Sequence, residues 1–94
     1  MSVDADDEPD EPTEPSPFLL ALAAVIRTRR KRLGMTQSAL GLEVGQSQRR
    51  VYEWEHGSRD LRLSGSLVPL AAALQMSVTA LIAAVEVELA DASG

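Results

Sequence analysis

Apolar residues recur along this 94-residue chain at steps of three and four, the period of a helix with one buried face. Leu22, Ile26, Arg29/Arg30 and Leu33 share a face of a helix predicted from Phe18 to Leu33. Ser16-Pro17 reads as its N-cap and first helical residue, and Gly34 as its left-handed stop. Thr36 is placed to cap a second helix, Gln37 to Val44, ended by Gly45. Ser47 caps a third, Gln48 to about Glu55, with Gly57 beyond it. After a polar, loop-like stretch over 58–65, Ser66 is placed to cap a fourth helix that ends near Gln75. Pro69 falls in its first turn, where no donor is needed. Ser77 caps a fifth, Val78 to about Ala90. No segment alternates with period two and no internal repeat is present, so the expectation is an all-α fold, a compact five-helix domain over residues 17–91. A domain this small still buries about 60% of its unfolded surface.

Composition changes the picture at the N-terminus. Residues 1–17 hold seven acids, no base and four of the five prolines, with Met1 and Val3 as the only larger apolar residues before Pro17. Such a segment buries too little apolar surface to offset its ordering entropy, which predicts a disordered acidic tail over residues 1–16. The formal net charge of −5 therefore averages two populations. Residues 18–94 carry nine bases against seven acids, and from Phe18 to Val68 the balance is nine to four. The body is mildly basic although the whole chain is acidic.

Several chemistries are excluded or left without material. With no cysteine there is no disulfide and no thiolate metal site, and the single histidine, His56, leaves almost no room for a histidine-based one. No cofactor is expected. No apolar run reaches the roughly 18 residues that span a bilayer. The acidic N-terminus is unlike a secretory signal, so the expected location is cytoplasmic. No nucleophile–base pair and no glycine-rich phosphate loop after a strand is visible, and an enzyme is not expected.

The informative stretch runs from Thr36 to Gly57, two short helices joined by a tight turn at Gly45. Leu40, Val44, Val51 and Trp54 supply apolar contacts, and Gly41 permits close approach. Gln48, Arg49, Arg50, Tyr52 and Glu53 face away from that core on the second of the two helices. Glutamine can pair bidentately with adenine and arginine with guanine O6 and N7, so a projecting helix that opens Gln-Arg-Arg suits a major groove.

In these residues the chain resembles the phage-repressor/Cro-type helix-turn-helix DNA-binding family over about residues 18–83. The resemblance is carried by Leu33-Gly34-Met35-Thr36-Gln37, Leu40, Val44-Gly45, Ser47-Gln48, Val51, Trp54-Glu55 and Gly57. Leu70-Ala71-Ala72-Ala73-Leu74, Ser77-Val78 and Leu81-Ile82 resemble the family's last two helices. It implies that Gln48, Arg49 and Glu53 contact bases, and that Gln37 holds a phosphate at a helix N-terminus. Arg50, Tyr52, Arg59 and Arg62 are the further phosphate candidates. Arg30 and Glu55 match a family ion pair that ties the first helix to the end of the recognition helix. The chain departs from the pattern at Gln46, where a small apolar residue is usual, at the bulkier Arg50, at Glu53, and in a slightly longer loop from Gly57 to Leu70.

Blander readings stand beside these. The cluster Arg27, Arg29, Arg30, Lys31 and Arg32 also fits the solvated side of an amphipathic helix. Trp54 reads as core, His56 as C-terminal punctuation favoured by the helix dipole, and Tyr52 as phosphate contact or exposed filler. Leu19, Leu20, Ala23 and Ala24 make the first helix apolar nearly all round. The last helix, with Val78, Leu81, Ile82, Val85 and Leu89, is longer than a minimal domain needs. Surplus apolar surface of this kind predicts an interface, and a homodimer on two half-sites fits. The function expected is a sequence-specific DNA-binding regulator of transcription, in the sense of a repressor, with double-stranded DNA as partner. Two alternatives use the same fold: an antitoxin whose acidic tail contacts a basic protein, and a protein-interaction module that has lost DNA binding.

Overall fold

In the computed structural model five helices are described, over residues 16–57 and 67–93, and no strand occurs among these residues. The helices are α1 (Pro17–Arg32), α2 (Gln37–Val44), α3 (Gln48–Trp54), α4 (Val68–Ala73) and α5 (Val78–Ser93). The tail over residues 1–15, the proposed cap Ser66, and Arg59 and Arg62 lie outside the described residues.

Four of the helix starts follow from hydroxyl caps. Ser16, Thr36, Ser47 and Ser77 accept from the backbone N–H three residues on, at 3.1, 3.0, 3.1 and 3.0 Å. The helix ends follow from the turn chemistry. At Gly34, with φ at 74°, the chain closes by Gly34 N–H donating to the Lys31 carbonyl and Met35 N–H to that of Arg30. Gly45, with φ at 75°, repeats the arrangement on Leu42 and Gly41. The same double closure ends α4, but there the left-handed residue is Gln75, with φ at 61°. Ala71 and Ala72 provide its acceptors, and Arg29 adds its guanidinium to the carbonyls of Leu74 at 2.9 Å and Gln75 at 3.4 Å. Three helices stop earlier than expected: α1 and α3 by one residue, with Leu33 and Glu55 as C-caps, and α4 at Ala73 instead of near Gln75, its N-cap being Leu67 without a side-chain cap bond. α5 continues past Ala90 to Ser93.

Every helix contributes to one core. Ile26, Leu40, Val51, Leu70, Leu81 and Val85 are fully buried, together with Leu74 just after α4. α1 packs along α5, while α2 packs on α3 and α4, and α4 on α5. Much of the apolar surplus of α1 and α5 is consumed here. Ala23, Leu81 and Val85 are buried, and Leu19, Ala24, Val78, Ile82 and Leu89 half-buried. Of the residues expected to form an interface only Leu20 is exposed, at 52%, joined by Phe18 and by Val87 at 62%.

Candidate nucleic-acid interface

The α2–turn–α3 unit owes its tightness to Gly41 more than to the turn residue Gly45. A Cβ on Gly41 would lie 2.7 Å from the Gln46 carbonyl oxygen and 3.2 Å from that of Ser47. The close approach is therefore between α2 and the backbone of the turn itself, and it leaves Gln46 exposed outside the packed region. That is why a polar side chain is tolerated where a small apolar one is usual. Val51 and Trp54 anchor α3 from beneath. Trp54 is buried, so it offers no stacking platform, and its Nε1 has no hydrogen-bond partner among the described residues.

A chain of polar contacts runs from the core to the start of α3. Arg30 and Glu55 are 7% and 3% exposed. The Arg30 Nε donates to Glu55 Oε2 at 2.5 Å and its Nη2 to Oε1 at 3.0 Å, a bidentate pair. Its remaining Nη1 donates to the Met35 carbonyl at 2.7 Å, which the Gly34 turn brings back toward α1. Hydrogen bonding to Glu55 holds the guanidinium above the usual arginine range, against the lowering effect of burial. Glu55 Oε1 also accepts from Gln37 Nε2 at 3.1 Å. A carboxylate only accepts, so this contact fixes the orientation of the Gln37 amide and turns its Oε1 outward. That oxygen accepts from Gln48 Nε2 at 3.0 Å. The first residues of α2 and α3 are thus coupled to each other and to a buried ion pair.

The other candidates on α3 differ in how they are held. Arg49 and Glu53, one turn apart, pair with each other at 3.3 Å between Nε and Oε2. Arg49 is exposed and Glu53 half-buried. Such an exposed pair is worth about 1 kcal/mol or less, so the guanidinium leaves it readily for a stronger acceptor. Arg50 is half-buried. Tyr52 is exposed and stacks on His56 with ring centroids 4.0 Å apart. His56 Nδ1 lies 2.7 Å from the Tyr52 carbonyl oxygen. A carbonyl only accepts, so Nδ1 donates, and the ring caps the last turn of α3 as a C-terminal histidine can.

Three of these contacts leave no signal in the sequence, and a fourth does. Arg29 sits in the basic cluster but serves as the cap of α4, 45 residues away in sequence. The links from Gln37 to Glu55 and Gln48 to Gln37 carry no spacing signal. The Tyr52–His56 stack, at i and i+4 on one helix, was within reach of the sequence. Among the described residues no three His, Cys, Asp or Glu gather as a metal site, and no helix is long and apolar enough to cross a membrane.

The helix-turn-helix family matches residues 26–81. No curated protein matches the sequence. Among solved structures, a mutant of the restriction-modification controller protein C.Esp1396I is 23% identical with a TM-score of 0.73, over 79% of this chain and 97% of that one. That likeness is one of fold. The clp gene regulator ClgR from Corynebacterium glutamicum is 28% identical with a TM-score of 0.74, over 85% of this chain and 83% of that one. HppE, solved with Fe(II) and substrate, is 30% identical with a TM-score of 0.60, over 66% of this chain but 36% of that one, so it shares a part. With its capped turn, its buried Arg30–Glu55 pair and a match over more than half its length, the chain belongs to the helix-turn-helix family of Cro/C1-type DNA-binding regulators.

Proposed function

We propose that this protein binds a specific double-stranded DNA site as a homodimer, lays α3 in the major groove, and represses transcription by occupying that site. The observation that carries the reading is the coupling of Gln48 to Gln37 and through it to Glu55 and Arg30. It holds in advance two amides at adjacent helix starts, one for a base edge and one for a phosphate, so less is lost on ordering them at the DNA. In this reading Gln48, Arg49 and Glu53 meet bases, with Glu53 accepting from a cytosine N4. Gln37, Arg50, Tyr52, Arg59 and Arg62 hold the backbone. Exposed Phe18 and Leu20 on α1 supply apolar surface for a second copy.

Selection of bound duplexes from a random pool at stated salt tests the reading. A palindromic consensus with half-site centres about one DNA turn, roughly 34 Å, apart is the expected result. An asymmetric consensus bound by a monomer would overturn the dimer, and recovery of no consensus would overturn sequence reading. In vitro transcription from a promoter carrying the selected site then checks the sign, which should be loss of transcript.

A further inference from the structure

We propose that the groove between α1 and α5 binds a small zwitterion with an aliphatic body, of the class of a free branched-chain amino acid. The groove has a volume of about 330 Å3, within the range of about 300–1,000 Å3 typical of small-molecule sites. Val25 of α1, Met76 before α5, and Ala84 and Val87 of α5 form its apolar lining. Val87 is 62% exposed, so an aliphatic branch seated there would cover surface that the chain itself leaves to water.

The charges at the groove specify the head group. Arg32 from α1 and Glu88 from α5 both line it. Among the described residues their side chains pair neither with each other nor with any other group. Arg29 also borders the groove, but its Nε and Nη2 are committed to the ends of α4, so it adds positive field more than free donors. Thr28 adds a hydroxyl. One unpaired cation and one unpaired anion, on different helices beside an apolar lining, complement a carboxylate, an ammonium and an alkyl chain on one molecule. A plain carboxylic acid would set its charge near Glu88 with no ammonium to answer it. A plain amine would do the same at Arg32.

The test needs no DNA and so stands apart from the reading of α3. Leucine is titrated into the full chain and methyl NMR shifts are followed, alongside 4-methylpentanoate, which lacks the amine, and 3-methylbutylamine, which lacks the carboxylate. Saturable shifts at Val25, Met76, Ala84 and Val87 are expected, with each analogue bound about tenfold or more weakly, the scale of one lost charge-assisted hydrogen bond. Glu88→Gln should abolish the preference for leucine over the acid, and Arg32→Gln the preference over the amine. Unchanged helical circular dichroism and melting temperature would show both variants folded. Absence of saturable shifts at millimolar leucine, equal affinity for leucine and either analogue, or preferences that survive both substitutions would each overturn the assignment.

Discussion

Glu55 Oε1 accepts from two residues at once, Arg30 Nη2 at 3.0 Å and Gln37 Nε2 at 3.1 Å, and so joins the first helix to the start of the second. One carboxylate oxygen therefore serves both the stability of the fold and the geometry of the DNA-facing surface. The two roles separate by mutation, because Arg30 is buried while Gln37 is only half so.

Glu55→Ala leaves the Arg30 guanidinium buried with the Met35 carbonyl as its remaining partner. Breaking a buried pair from one side costs about 3–5 kcal/mol, a large share of a small domain's stability. The double variant Glu55→Ala with Arg30→Met should recover part of that loss, since no unpaired charge remains. Urea denaturation of the three chains measures both effects. A midpoint indifferent to Glu55→Ala would show that the pair contributes nothing.

Gln37→Ala should lower affinity for random duplexes through the lost phosphate contact, and somewhat more for the specific site, where the hold on Gln48 is lost as well. Glutamine is neutral and displaces no counterion, so the slope of affinity against salt should stay unchanged. Titrations on both duplexes at two salt concentrations check this. A loss confined to the specific site would mean that Gln37 acts by holding Gln48 and not by touching the backbone.

Arg49→Ala should cost about 1–3 kcal/mol on the preferred site and relax specificity at one base pair, as for a lost bidentate guanine contact. The Glu53 pair at 3.3 Å is lost in the same variant, but it is too weak to mask the effect. Competition between the selected site and single-base variants reads the outcome. An equal fall on all sequences would move Arg49 to the backbone.

Gly41→Ala and Gln75→Gly should shift stability in opposite directions. The first drives a Cβ to 2.7 Å from a backbone oxygen that cannot swing aside, a strain of about 1–3 kcal/mol. The second relieves a left-handed residue at φ 61°, worth up to about 1 kcal/mol after the entropy that glycine adds to the unfolded chain. Thermal melts of both variants decide, and a stabilising Gly41→Ala would contradict the tight α2–turn contact.

Features that depend on neighbours within about four residues could be read from the chain. The caps at Ser16, Thr36, Ser47 and Ser77 and the stops at Gly34 and Gly45 are local hydrogen-bonding decisions, so the bounds of four helices were legible nearly to the residue, while α4 was legible as an element but not in its cap or stop. The resemblance also brought Arg30 and Glu55 together, 25 residues apart, which periodicity could not have done. Where long side chains end depends instead on how the helices pack. Arg29 and Arg30 are adjacent in a basic run, yet a rotation of about 100° around the helix sends one to the end of α4 and the other to Glu55. Gln75 takes a conformation usually left to glycine at the place where Arg29 reaches its carbonyl and Met76 closes the turn. Likewise the apolar face of α5 was visible, but its share between core and surface depends on how α1 crosses it. That crossing buries Leu81 and Val85 and leaves Val87 in the open.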